Sequence, residues 1–73
     1  MSDSQGGYPP LTTREKQCLT GLALGLRLQE LADKLGISKK TVEKQIASAK
    51  KKVGANTREQ AVAIAINHKL IQS

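Results

Sequence analysis

The chain has 73 residues and a formal net charge of +6, with 12 lysine and arginine residues against 6 acidic ones. At this length it forms one small domain, which excludes a separate cofactor-binding fold or an enclosed catalytic pocket of ordinary size. The single cysteine, Cys18, excludes an internal disulfide, and Cys18 with His68 is too small a set for a zinc site. Excess positive charge favours a polyanionic partner, most often nucleic acid, although charge alone is a weak indication.

Sequence signatures of catalysis and of membrane insertion are both missing. There is no glycine-rich phosphate loop, no carboxylate pair at metal spacing and no nucleophile with a matching base. The longest apolar stretch, residues 61–66, is far below the roughly 20 residues of a membrane span. The N-terminus lacks the apolar segment of a signal peptide. We therefore expect a cytoplasmic protein that is not an enzyme and holds no cofactor or metal.

Composition divides the chain near its tenth residue. Residues 1–10 are rich in Ser, Gly and Pro, and are predicted to be a disordered lead or linker. No proline follows Pro10, so nothing prevents helix formation across residues 11–73, the predicted folded domain. Glycines and capping signals separate four helical segments there, and the predicted fold class is all-α with four helices.

The first helix is predicted to begin at Thr12, because Thr12 and Glu15 have the spacing of a capping box. Gly25 is the expected stop signal. Glu15 is therefore interpreted as a structural acid that caps the start of this helix. The apolar face of this first helix consists of Cys18, Leu19 and Leu22.

The second and third helices are predicted on either side of a short turn. The second ends at Gly36, and its start is poorly signalled because Arg27 occupies the N-cap position. The third begins at Ser38, a favourable N-cap, and ends at Gly54. Their apolar faces consist of Leu28, Leu31, Ala32 and Leu35, and of Val42, Ile46, Ala49 and Val53. Two amphipathic helices joined by residues 36–38 are typical of a helix-turn-helix.

The fourth segment is capped by Thr57, with Gln60 three residues later. Residues 61–66 alternate in a way that a strand also could, but the cap, the alanine content and the lack of a partner strand favour a helix. Its apolar residues fall on two faces, Ala61, Ile64 and Ala65 on one, and Val62 and Ile66 on the other. Leu70 and Ile71 are expected to fold back onto the domain.

Half of the positive charge lies in the third helix, on Lys39, Lys40, Lys44, Lys50, Lys51 and Lys52. At about 100° per residue, Lys40, Lys44 and Lys51 point directly away from the apolar face, with Ala47 and Ser48 between them. A face of small residues flanked by lysines suits a helix in a DNA major groove. The alternative is that the lysines only solvate an exposed face. DNA binding is favoured because this helix is the second helix of a helix-turn-helix.

Individual side chains on that face have plausible partners in DNA. Ala47 can contact a thymine methyl group, and Ser48 can hydrogen-bond to a donor or an acceptor on a base. The free N–H groups near Ser38 suit a phosphate. Glu43 is unusual, because phosphates repel a carboxylate. Glu43 either accepts a hydrogen bond from a cytosine amino group, or it is solvated or paired with a neighbouring lysine or the backbone, and the sequence leaves these interpretations open.

Several elements at fixed spacing resemble the LuxR/GerE-type DNA-binding domain, the output domain of LuxR- and NarL-like transcription regulators. They are Thr12-Thr13-Arg14-Glu15, Gly25, Glu30-Leu31-Ala32, the run Leu35 to Val42, Val53-Gly54, Glu59-Gln60-Ala61-Val62 and Lys69-Leu70-Ile71. The resemblance covers residues 11–71. It implies a four-helix fold, transcription regulation, and binding of double-stranded DNA as a homodimer on a two-fold site.

The resemblance also implies roles for single residues. Glu43, Lys44 and Ala47 would face bases, while Thr41 and neighbouring lysines would hold phosphates. The full set of predicted DNA-binding residues is Ser38, Lys39, Lys40, Thr41, Glu43, Lys44, Ala47, Ser48 and Lys51. The fourth helix would supply the dimer contact, for which Val62, Ile66 and Lys69 are the candidates.

The sequence departs from the family pattern at positions that bear on specificity. Gln45 stands where His is frequent, and Glu43 and Ala47 stand where related members often have Arg, so the DNA sequence bound by a relative is not transferable. A second hypothesis is a single-domain modulator that pairs through the fourth helix with a full-length LuxR-type regulator and inhibits it. Contact with RNA polymerase is compatible with the first hypothesis.

Overall fold

The structure is a computed structural model that describes residues 10–71. Four helices follow one another in this range: α1 (Thr13–Ala23), α2 (Leu28–Leu35), α3 (Lys39–Val53) and α4 (Arg58–Asn67). The described residues contain no strand, so the alternating residues 61–66 belong to a helix and the predicted all-α, four-helix fold is confirmed. The predicted disordered lead, apart from Pro10, lies outside the described residues.

The starts of α1 and α2 both use a glutamate at the third helical position. In α1 the Thr12 N–H donates to Glu15 Oε1 at 2.8 Å, and the Glu15 N–H donates to Thr12 Oγ1 at 3.1 Å. This is the predicted capping box. In α2 the Arg27 N–H donates to Glu30 Oε1 at 2.7 Å. Because the Arg27 side chain has no acceptor atom, α2 has only half of a capping box.

The predicted hydroxyl caps of the other two helices are also present. The Thr41 N–H donates to Ser38 Oγ at 3.0 Å at the start of α3. The Gln60 N–H donates to Thr57 Oγ1 at 3.0 Å at the start of α4. Each hydroxyl satisfies an N–H that has no acceptor within its own helix, and this fixes where the helix begins.

The four helix ends share one backbone geometry but differ in the residue that adopts it. Gly25, Gly36 and Gly54 have φ values of +86°, +69° and +73°. At the end of α4 the same left-handed position is occupied by Lys69, with φ +58°. The Leu70 N–H then donates to the carbonyl oxygen of Ala65 at 2.7 Å, as in a Schellman motif. Lys69 therefore bears a steric cost that the glycines avoid.

Two apolar clusters share α3 as their common wall. One lies between α1, α3 and α4, and its buried members include Leu19, Ala49, Val53, Ala61, Ala65 and Ile71. The other lies between α1, α2 and α3, and consists of Cys18, Leu31, Ala32, Val42 and Ile46. The predicted apolar faces of α2 and α3 are thus directed into the core. Ile71 is buried and Leu70 is half-buried, as expected for a chain end that folds back.

Helices α1 and α2 approach closely at Gly21. A Cβ atom at this position would lie 2.8 Å from Cγ of Leu31, a side chain that is itself only 2% exposed. The absence of a side chain at Gly21 therefore allows Leu31 to pack against the α1 backbone. None of the helices in residues 10–71 combines the length and the apolar character needed to cross a membrane.

Candidate nucleic-acid interface

The outward side of α3 presents the residues that the helical wheel placed there. Lys40, Lys44, Ala47 and Lys51 are all exposed, and Glu43 beside them is exposed as well. The opposite side of the helix is buried. The outward side therefore has one short side chain, Ala47, with flexible cations around it, a shape compatible with close approach to a groove of DNA.

The N-terminus of α3 carries a local hydroxyl pair. Besides the capping bond, the hydroxyl oxygens of Ser38 and Thr41 lie 2.8 Å apart and share a hydrogen bond. The N–H groups of Lys39 and Lys40 have no acceptor within the helix, because they belong to its first turn. Partial positive charge from the helix dipole adds to the two lysine side chains at this end. The arrangement suits an anion such as a backbone phosphate.

The prediction for Ser48 needs correction. The helical wheel placed Ser48 on the outward face, but its Oγ donates a hydrogen bond to Glu15 Oε2 at 2.6 Å, and the residue is half-buried. The physical reason is that α1 packs beside the apolar face of α3, so the surface between the two helices also covers Ser48. Its hydroxyl serves contact between helices rather than a base edge.

Glu15 connects α1 to α3 through several groups at once. It is 2% exposed and is the one buried charged residue among residues 10–71. Lys52 Nζ lies 2.8 Å from Glu15 Oε1, and the same ammonium donates to the carbonyl oxygen of Pro10 at 3.3 Å. With the Ser48 hydroxyl and the Thr12 N–H, the carboxylate receives hydrogen bonds on both oxygens. The cap of α1 is thus also the brace that holds α3.

The charged form of Glu15 is strongly favoured despite its burial. Desolvation by burial raises the pKa of this carboxyl group, but hydrogen bonds from Lys52, Ser48 and Thr12, and the positive charge of Lys52, outweigh desolvation. The net result is a pKa lowered from 4.5 to about 2. The carboxylate therefore remains ionised, and paired with Lys52, throughout the physiological pH range.

Lys52, which pairs with Glu15, differs from the other five lysines of α3. In the described part of the chain, Lys52–Glu15 is the one ion pair. The positive charges of the remaining five α3 lysines are thus not neutralised by a carboxylate in this range. Sequence reasoning interpreted Glu15 as structural but missed its partners. The available signal was the i, i+4 spacing of Ser48 and Lys52, which places both on one side of α3 next to the apolar stripe.

The predicted dimer residues lie on the side of α4 that is only partly covered. Val62 and Ile66 pack against the core cluster yet remain half-exposed, and Ala63 between them is exposed. Lys69 is exposed in the turn that follows the helix. These positions form a continuous, moderately apolar surface on the domain.

Cys18 and His68, the two residues considered above for a zinc site, lie in the core and at the end of a helix. Cys18 is fully buried, and burial raises the pKa of its thiol, so a reactive thiolate is disfavoured. His68 is the C-cap of α4.

The hydroxyl-capped α3, its short turn from α2 and its exposed lysines define a helix-turn-helix domain. The family described as GerE, "Bacterial regulatory proteins, luxR family", matches residues 9–65. The chain belongs to this family, and the resemblance seen in its sequence motifs is confirmed.

Individual relatives are transcription regulators. The chain is 39% identical over 66 residues to the transcriptional activator protein BjaR1 of Bradyrhizobium diazoefficiens, which covers 88% of this chain and 27% of that protein. It is 42% identical over 60 residues to the response regulator RamR of Streptomyces coelicolor, covering 82% and 30% respectively. The chain thus spans less than a third of the length of these curated relatives.

Two solved structures share the fold. The transcription factor GerE superposes with a TM-score of 0.83 at 26% identity, over 88% of this chain and 96% of that one. The structure of VqmA bound to DPO gives a TM-score of 0.76 at 37% identity, over 82% of this chain and 30% of that one.

Proposed function

We propose that this domain binds double-stranded DNA sequence-specifically by inserting α3 into the major groove, and that it regulates transcription in the bacterial cytoplasm. The observation that carries the proposal is the outward side of α3, where Lys44, Ala47 and Lys51 are exposed while the other side is fixed to α1. A rigid helix with small residues and free cations meets the steric and electrostatic needs of groove binding. Membership of a family of transcription regulators supports it.

The contacts divide by their position on α3. Lys44 and Ala47 lie in the middle of the outward side and are assigned to base edges, and Glu43 lies beside them. Lys40 and Lys51 lie nearer its two ends, and are assigned to phosphates on either side of the groove. The first turn of α3, comprising Ser38, Lys39, Lys40 and Thr41, is assigned to a phosphate through its N–H groups and lysines.

Glu43 has two possible roles, and one substitution separates them. Its carboxylate is an acceptor only, so among base edges in the major groove it suits the amino group of cytosine. If it reads a base, Glu43→Gln changes the preferred base at one position of the binding site. If it is solvated, the same variant keeps the sequence preference and binds all DNA slightly more tightly, because a carboxylate near the phosphates has been removed.

The half-exposed side of α4 is assigned to self-association. Val62 and Ile66 supply apolar area, and Lys69 lies at its edge. A two-fold pair would place its α3 helices in successive major grooves about 34 Å apart. The same surface supports the second candidate function, in which the domain pairs with a full-length LuxR-type regulator and keeps it from DNA.

Selection of bound sequences from random duplex DNA, using the full chain, tests the proposal. We expect enrichment of an inverted repeat whose half-sites are centred about 10 base pairs apart. The control is the double variant Lys44→Ala/Lys51→Ala, whose fold is checked by circular dichroism. Enrichment of isolated half-sites would contradict the dimer but not the DNA interface. No enrichment, or equal enrichment by the control, would overturn sequence-specific binding and leave the modulator function as the better candidate.

A further inference from the structure

A groove that the proposed DNA contacts do not use follows the outer side of α1 and its seam with α2. It encloses about 340 Å³. Its principal lining residues are Lys16, Thr20, Leu24, Leu31, Lys34 and Leu35. Gly21 also lines it, at the place where Leu31 packs against the α1 backbone.

The apolar residues that line the groove are partly open to solvent. Leu24 is 67% exposed, and among the described residues it is the one large hydrophobic side chain that is exposed. Leu26 and Leu35 lie beside it and are half-buried. Exposing a leucine to this extent forgoes stabilisation that burial would give, so this position is a candidate for contact with a partner.

Both charged residues of the groove are positive. Lys16 on α1 and Lys34 on α2 both line the groove and are exposed. None of the acidic residues in residues 10–71 lines it. The groove thus combines apolar side chains with two exposed cations, and its complement is an apolar stripe bordered by carboxylates.

The groove lies away from the DNA-facing side of the domain. Lys16, Thr20 and Leu24 are spaced four residues apart and form one side of α1. Glu15 and Leu19, on the opposite side of α1, are buried and directed towards α3 and the core. The side of α1 that lines the groove is therefore not the side that contacts α3, and the groove lies apart from the outward side of α3.

We propose that this groove binds an amphipathic helix of a partner protein, one that carries leucine-like side chains on one face and aspartate or glutamate on both flanks. The stretch from Lys16 to Leu24 is about 12 Å long, which matches two turns of a bound helix. Carboxylates of the partner pair with Lys16 and Lys34, and its apolar stripe covers Leu24.

Charge argues against the other occupants of the groove. A second copy docked groove to groove would bring its own Lys16 and Lys34 against the same residues, and like charges directly opposed are unfavourable. DNA would satisfy the lysines but would leave Leu24 against a charged backbone. An acidic amphipathic helix satisfies both features at once.

Titration of the 15N-labelled full chain with a synthetic amphipathic Leu/Glu helix, followed by NMR, tests this proposal. We expect saturable shifts at the amides of Thr20, Leu24 and Lys34 that weaken with added salt. A matched peptide with Lys in place of Glu should bind at least about tenfold more weakly, because the groove lysines repel it. Equal binding of both peptides would overturn the proposal. Chemical shifts of groove amides that change with protein concentration in the absence of peptide would also overturn it, because they would indicate that a second copy of the chain binds there.

Two sets of variants keep the test specific for the groove. An acidic peptide is also attracted to α3, so binding should persist in Lys44→Ala/Lys51→Ala, which leaves the groove unchanged. Leu24→Glu should weaken binding about tenfold relative to Ala23→Glu. Ala23 is an exposed neighbour outside this groove, and its substitution changes the net charge equally. If the α3 variant lost peptide binding, or if the two glutamate substitutions had equal effects, the interaction would depend on charge alone. Either result would contradict the proposal that the peptide binds in the groove.

Discussion

The two sides of α3 use the same residue type for opposite purposes. Lys52 lies on the side facing α1, where it is paired with the buried Glu15 at 2.8 Å. Lys51, the preceding residue, is exposed on the outward side. A step of about 100° around the helix therefore separates a lysine that holds the fold from one available to a polyanion. The net charge does not distinguish these two lysines. They differ because α1 packs beside Lys52 and not beside Lys51.

Among the variants that test this difference between the two sides of α3, the largest effect on stability should come from removing the Glu15 brace. Glu15→Ala removes the carboxylate half of the α1 capping box and the carboxylate acceptor of Ser48 and Lys52, so we expect a loss of about 3 kcal/mol in the free energy of unfolding. Glu30→Ala is the matched control, because Glu30 caps α2 in the same way from an exposed position. It should lose about 1 kcal/mol or less. Urea denaturation measures both, and equal losses would mean that Glu15 acts only as a cap.

Acid should weaken the same brace without mutation. The pKa of Glu15 is about 2 in the folded chain, against 4.5 as its ordinary value. The carboxylate therefore stabilises the fold fully above about pH 5, and this contribution declines as the pH falls from there towards 2. It amounts to about 3 kcal/mol. Unfolding measured across this range should show a steep acid limb in the wild type. In Glu15→Gln the limb should be flatter, and an unchanged limb would contradict the low pKa.

Substitutions on the outward side should change DNA binding and leave stability unaltered. Lys44→Ala should weaken binding to the selected sequence by about tenfold, and weaken non-specific binding less. Lys51→Ala should weaken both and reduce the salt slope of binding by about one. Fluorescence anisotropy at several salt concentrations measures these effects, with the exposed Lys16→Ala on α1 as the control. If Lys16→Ala matched either variant, the outward side of α3 would lose its assigned role.

The smallest effect should come from the turn at the end of α4, outside α3. Lys69→Gly removes the steric cost of a left-handed residue, so we expect an increase in stability of about 0.5–1 kcal/mol. DNA affinity should stay constant if the domain acts as a monomer. A fall in affinity for a two-half-site DNA, alongside the gain in stability, would place Lys69 in the dimer contact.

Sequence patterns predicted the helices and most of their boundaries because these depend on local chemistry. Thr12, Ser38 and Thr57 cap where their spacing indicated, since a hydroxyl contacts an N–H only three residues away. The orientation of Ser48 was not predictable in this way, because it depends on which side of α3 the first helix covers. The exposure of Leu24 was likewise not predictable from local spacing, because it depends on how the helices pack together.

The sharing of α3 between both apolar clusters has a consequence for how this domain can change over time. The backbone of the helix is held by packing on two sides and by the Glu15 brace, so it is already ordered before any partner arrives, and little conformational entropy remains to be lost on binding. Its exposed positions take no part in that packing. Substitutions at Glu43, Lys44 or Ala47 can therefore alter what the surface recognises without endangering the scaffold, which makes the two properties separable under selection.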